Sequence, residues 1–168
     1  EAEVSYNQAI MLNPDYAEAQ NNLGNLLQEL ERFDEALASY NQALALKPNY
    51  AEAHSNLGVV LQELGRFDES EASYKKAIAC KPDFAEAYSR LGLVSFIKGN
   101  ARAGLENLEN ADKFDANLPD NKTALAILKA RVASEKTETS VENSRNQTNG
   151  SQQFKDPIIL DRTVEKEL

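Results

Sequence analysis

Catalysis by side chains needs convergent groups, and in 168 residues the sequence supplies one histidine, His54, and one cysteine, Cys80. No His/Cys/Asp nucleophile arrangement, no His-x-Asp metal pair, no phosphate-cradling glycine loop and no clustered metal ligands accompany them. The pattern calls for no cofactor, and the residues present read as non-enzymatic. The polar side chains of the chain include Asn21, Asn22, Asn25, Gln28, Ser55, Asn56, Gln62 and Arg90, mostly neutral amides. An asparagine offers a donor and an acceptor together, which is what an extended polypeptide backbone presents in return. Asn22 and Asn56 stand 34 residues apart, so they form the rungs of a ladder if the chain repeats with that period.

It does. Pro14, Pro48 and Pro82 are spaced by 34, each with an aromatic two residues on: Tyr16, Tyr50 and Phe84. The same frame aligns Ala17/Ala51/Ala85, Glu18/Glu52/Glu86, Ala19/Ala53/Ala87, Leu23/Leu57/Leu91, Gly24/Gly58/Gly92, Tyr40/Tyr74/Leu108 and Ala43/Ala77/Ala111. Each unit reads as two helices. In the first, Leu23 with Leu26 and Leu27, or Leu57 with Val60 and Leu61, makes one apolar face at the three-and-four spacing. In the second, Phe33, Ala36, Leu37, Tyr40, Ala43 and Leu44 do the same. Asp15, Asn49 and Asp83, each three residues before a glutamate, predict a capping box at each first helix. Glycines 24, 58 and 92 sit inside helices at a cost of about 1 kcal/mol relative to alanine, which predicts close helix contact as compensation. Gly65 and Gly99 fall between the paired helices where a left-handed cap suits glycine. Glu31 occupies the equivalent place in the first unit and predicts mild strain or a different turn.

A 34-residue unit with Leu-Gly in its first half, small and aromatic residues in its second and proline near its end resembles the tetratricopeptide repeat (TPR). The resemblance covers residues 1 to about 133. It implies an all-α protein, a right-handed α-solenoid of antiparallel helix pairs, with a C-terminal capping helix and a disordered tail. Residues 1–16 are expected as the second helix of a truncated unit, followed by repeats at 17–50 and 51–84 and a degenerate repeat at 85–118. A capping helix at 119–133, a disordered linker at 134–153, and a tail or the start of a further domain at 154–168 complete the frame. The linker expectation rests on Ser, Thr, Asn, Gln and Glu with Val141 as the lone large apolar residue. With its partner helix missing, the first helix should expose Tyr6, Ile10 and Leu12 in part, an opening for self-association.

In this family the first helices line a concave groove, so the resemblance implies that the eight polar residues face it and bind a peptide or partner protein. The row is similar to that of the O-linked N-acetylglucosamine transferase arrays, where ladder asparagines hold substrate backbone, with Arg90 replacing the third rung. A chaperone-tail clamp also uses such positions. Asn25, Asn56 and Arg90 match it, but Asn21 and Glu86 stand in place of its lysines, and Glu86 repels an acidic tail. Three functions follow: an interaction scaffold, the substrate-recruiting arm of a larger enzyme of glycosyltransferase or 2-oxoglutarate/iron oxygenase type, and a structural spacer. The stretch from Ile158 to Leu168 most resembles the lead-in to such an oxygenase domain.

Composition narrows the partners. A net charge of −9 with pI about 4.7 disfavours nucleic acid, whose phosphates are bound by exchanging counterions for lysine and arginine. No apolar run approaches the roughly 20 residues of a membrane-spanning helix, so no membrane partner is expected. His54 reads as a packing residue and Cys80 as a buried, inert thiol. A lone cysteine fits a reducing compartment, and cytoplasmic is the default location, with the chain opening on Glu1 rather than methionine. The glycosylation triplets at Asn121, Asn146 and Asn149 read as by-products of an Asn/Thr-rich composition.

Overall fold

A computed structural model describes residues 1–118 and 121–152, with side chains as far as Thr137. Eight helices make up the described residues: α1 (Ala2–Leu12), α2 (Ala17–Glu29), α3 (Phe33–Leu46), α4 (Ala51–Glu63), α5 (Phe67–Cys80), α6 (Ala85–Ile97), α7 (Ala101–Phe114) and α8 (Asn121–Gln152). The chain divides into two compact units, residues 1–131 and 132–168. Within the first, α2 pairs with α3, α4 with α5 and α6 with α7, each pair packs on the next, and α2, α4 and α6 also touch in sequence. This is the expected stack of helix pairs, begun by the single helix α1, which lies against α2.

The glycine columns are explained by distance. A Cβ at Gly24 would lie 2.6 Å from Cε1 of Tyr40, and one at Gly58 would lie 2.6 Å from Cε1 of Tyr74. Both tyrosines are completely buried, so the absent side chain is the seat for a ring. In the third pair the ring is gone, and α6 and α7 close up instead. A Cβ on Gly92 would sit 2.9 Å from the Gly104 carbonyl oxygen and 2.9 Å from Cγ of Leu108. One core cluster gathers Leu23, Leu27, Ala36, Tyr40, Leu57, Val60 and Leu61, and a second centres on Tyr74, Leu91 and Val94. Tyr6 and Ile10 of α1 pack against the first cluster, whereas Val4, Met11 and Leu12 are exposed.

The capping boxes do not form. The helices begin at Ala17, Ala51 and Ala85, so Tyr16, Tyr50 and Phe84 occupy the cap position, and none makes a side-chain cap hydrogen bond. The chain enters each helix through a turn closed by the aromatic N–H, as in Tyr50 N to Lys47 O at 3.1 Å. This leaves Asp15, Asn49 and Asp83 one residue too early to reach the first free amides. Glu18, spared that role, accepts from Lys47 Nζ at 2.9 Å. Asn100 is the residue that does cap, accepting from Ala103 N at 3.1 Å.

Glu31 resolves in favour of strain. Its φ of 58° matches the left-handed values of Gly65 (72°) and Gly99 (85°). The closing bonds are also the same in kind, Arg32 N to Leu27 O at 2.9 Å against Arg66 N to Leu61 O at 2.8 Å. A left-handed residue with a Cβ costs roughly 1–2 kcal/mol, less what glycine loses by its freer unfolded chain. Glu31→Gly is therefore expected to stabilise the protein by up to about 1 kcal/mol in urea denaturation, with an unchanged m value.

Helix α8 runs from Asn121 to Gln152, and Pro119 and Asp120, where the capping helix was expected to open, lie outside the described residues. No proline interrupts residues 120–156. The tail at 154–168, with its resemblance to an oxygenase lead-in, lies outside the described residues.

Within the first unit α8 does cap the stack. Leu128 is buried, its Cδ2 lying 2.8 Å from where a Cβ on Gly104 would be, and Asn121 Nδ2 donates to Leu108 O at 3.2 Å. Asn121, first of the three glycosylation triplets, is thus buried and bonded inside. The side chains of Asn146 and Asn149 lie outside the described residues.

Candidate functional site

The eight polar residues all come from α2, α4 and α6, and the structure sorts them by depth. Asn21 and Ser55 are buried; Asn25, Gln28, Asn56, Gln62 and Arg90 are half-buried; Asn22 is exposed. Their columns explain the order. One repeat later the column of Asn21 becomes Ser55 and then Ser89, all buried under the neighbouring helix, while the column of Asn22 passes through Asn56 to Arg90.

Asn56 is the centre of the arrangement. Its Nδ2 donates to Asn21 Oδ1 at 3.1 Å and to Asn25 Oδ1 at 2.9 Å, tying α4 to α2. Both amide hydrogens are then spent, and Asn56 presents its Oδ1 alone to an incoming group. Asn22 keeps both functions, so the two rungs of the ladder are not chemically equivalent. Arg90 carries the third rung, its Nη2 3.7 Å from Glu86 Oε1 one turn back on α6. That contact is long and exposed, worth little, and leaves the guanidinium with donors to offer.

Two residues absent from the sequence-derived site complete it. The Tyr40 hydroxyl reaches up from α3 to Asn25 Oδ1 at 2.8 Å and Gln28 Oε1 at 3.0 Å. Its counterpart Tyr74 reaches Gln62 Oε1 at 3.4 Å. Burial pushes both phenols up, Tyr74 to about 12, so they remain protonated donors throughout the physiological range. A signal for this was present in the repeat: Tyr40 and Tyr74 accompany Gln28 and Gln62, and where Leu108 replaces the tyrosine, Phe96 replaces the glutamine. The polar pair is lost as a pair.

On another side of α4, His54 is buried and Nε2 donates to Pro48 O at 2.9 Å. Burial, with Lys76 nearby, lowers its pKa, which keeps the ring neutral at pH 7. Its surroundings are those of a packing residue, though Nδ1 has no partner among the described residues. Cys80 is half-buried rather than enclosed, because the residues across from it leave a groove open.

Residues 1–31 and 24–65 match a family model described as TPR repeat, and residues 51–84 match one described as tetratricopeptide repeat. The chain belongs to the tetratricopeptide repeat family. Solved TPR structures agree with it in fold. The first TPR of Spaghetti (RPAP3) bound to HSP90 peptide SRMEEVD superposes with a TM-score of 0.67 at 20% identity, covering 70% of this chain and 93% of that one. MamA gives 0.71 at 17% identity, with 90% of each chain covered. YrrB, described as a TPR protein with an unusual peptide-binding site, gives 0.69 at 24% identity over 75% of this chain and 65% of its own. No curated protein sequence matches this one. At these identities the TPR neighbours speak for the helix stack and not for its side chains.

Proposed function

We propose that this TPR array is a protein-interaction scaffold whose α2, α4 and α6 face accepts an extended peptide segment along Asn22, Asn56 and Arg90. The carrying observation is the unequal ladder: Asn22 exposed, and Asn56 with both amide hydrogens held by Asn21 and Asn25. Asn56 then offers an acceptor to a backbone N–H, Asn22 offers an acceptor and a donor, and Arg90 offers donors to a carbonyl or carboxylate. Spaced by one repeat, they read a backbone without demanding particular side chains. The internal bonds hold the Asn56 amide in place beforehand, which lowers the ordering cost of binding. A peptide complex of one protein of similar fold and the peptide-binding site described for another support such a role.

The test separates contact from scaffold. In a peptide-library binding assay, Asn22→Ala should weaken capture by about tenfold with unchanged melting, at roughly 1.4 kcal/mol per decade. Asn56→Ala should weaken capture and also lower stability, since it strips two internal hydrogen bonds. Undiminished capture by the double variant, with the fold intact, rules out the ladder.

A further inference from the structure

On the side of α4 away from Asn56, the structure leaves a groove of about 560 Å³ between α3 and α5. His54 and Asn56 lie about 200° apart around their helix, so this groove is separate from the proposed peptide face. Its walls include Leu44 and Ala45 of α3, Pro48 of the connecting turn, His54 and Leu57 of α4 and Cys80 of α5, with Lys76 beside them.

The next repeat shows what this place normally holds. Moving each wall residue on by 34 positions turns His54 into Tyr88 and Cys80 into Phe114, and those two rings stack there with centroids 5.6 Å apart and planes at 27°. The second repeat keeps the frame and lacks the rings: an imidazole stands for the phenol and a thiol for the phenyl. The groove that stands in their place is lined mainly by apolar side chains, with Asn41 and Asn49 also in its wall, and is faced by a neutral imidazole. Lys76 adds a charge. Its neighbour Lys75 is paired with Glu71, whereas Lys76 makes no ion pair among the described residues.

We propose that this groove docks an aromatic side chain of a partner polypeptide, flanked in that partner by an acidic residue. The incoming ring lies on His54 as Phe114 lies on Tyr88, and the acidic neighbour meets the ammonium of Lys76. Offset ring stacking adds to the area buried, and the charge pair fixes which way the segment runs. Cys80 sits at the ring's edge, so occupancy covers the thiol.

The experiment uses the whole chain and reads alkylation of Cys80 by iodoacetamide in the presence of an acetylated, amidated Asp-Phe-Asp peptide. Near saturation the rate should fall about tenfold, following the occupied fraction, while the same peptide with alanine for phenylalanine should leave it unchanged. Lys76→Glu should raise the peptide concentration needed. Cys80→Phe supplies the missing ring from within; it should raise the melting temperature and abolish the peptide-induced NMR shift of the His54 ring. Equal alkylation rates with both peptides overturn the proposal, as does undiminished binding to a folded Cys80→Phe. Equal protection by phenylacetate makes the groove a small-molecule site and also overturns it. The Asn22→Ala, Asn56→Ala variant should still show protection, so this groove and the amide face stand or fall separately.

Discussion

Replacing Tyr40 by alanine is expected to cost about 4 kcal/mol in urea denaturation, whereas phenylalanine at the same place should cost about 1. The side chain is completely buried, its ring occupies the space that Gly24 leaves, and it belongs to the largest core cluster. Alanine would open a cavity between two helices whose separation is set by that ring. The helices cannot simply collapse, because α3 is also packed against α4. Phenylalanine keeps the ring and removes the hydroxyl, leaving Asn25 and Gln28 to find other donors at a half-exposed site. The two variants thus separate packing from the amide network. If Tyr40→Phe were as damaging as Tyr40→Ala, the hydroxyl and not the ring would be what holds α2 to α3. Peptide capture offers a second reading, since Tyr40→Phe loosens Asn25, which positions Asn56.

The stacked helix pairs were legible because repetition multiplies weak signals. A single interior glycine predicts little, but Gly24, Gly58 and Gly92 at one period, paired with Tyr40, Tyr74 and Leu108, locate the crossing of each helix pair. The helix starts were misread for a local reason. Asp15 and Glu18 have capping-box spacing, yet the turn after Pro14 ends one residue later and the aromatic takes the cap. Glu31 was legible as an anomaly, and its resolution required a dihedral angle that no sequence contains.

The candidate site was legible as a set of residues but not as a circuit. Column position separates Asn21 from Asn22 by one residue, and one residue on a helix is the difference between buried and exposed. Which amide spends its hydrogens internally depends on pairs 31 and 35 residues apart in sequence, Asn56 with Asn25 and with Asn21. Those distances are set by how one repeat lies on the next. Cys80 was misjudged for a related reason: its column is apolar, but burial there depends on the residue opposite, and His54 is too small to close over it.

Shortening Leu128 to alanine should cost about 3 kcal/mol and expose the end of the stack to association, read by denaturation and light scattering together. Leu128 is buried, and in a stack where each pair leans on its neighbour α8 covers the last face among the described residues. The same contact sets a limit at Gly104. A Cβ there would meet Leu128 Cδ2 at 2.8 Å and the Gly92 carbonyl oxygen at 2.9 Å. Gly104→Ala gains about 1 kcal/mol of helix propensity, but the overpacking outweighs it by roughly 1–2. In the double variant the leucine obstacle disappears while the backbone obstacle stays, because Gly92 O belongs to the helix and cannot turn aside. The combined loss should therefore fall short of the sum by less than the whole Gly104→Ala penalty. Complete rescue would mean that α6 and α7 are not held apart by backbone at that crossing, and that Leu128 alone enforces glycine there.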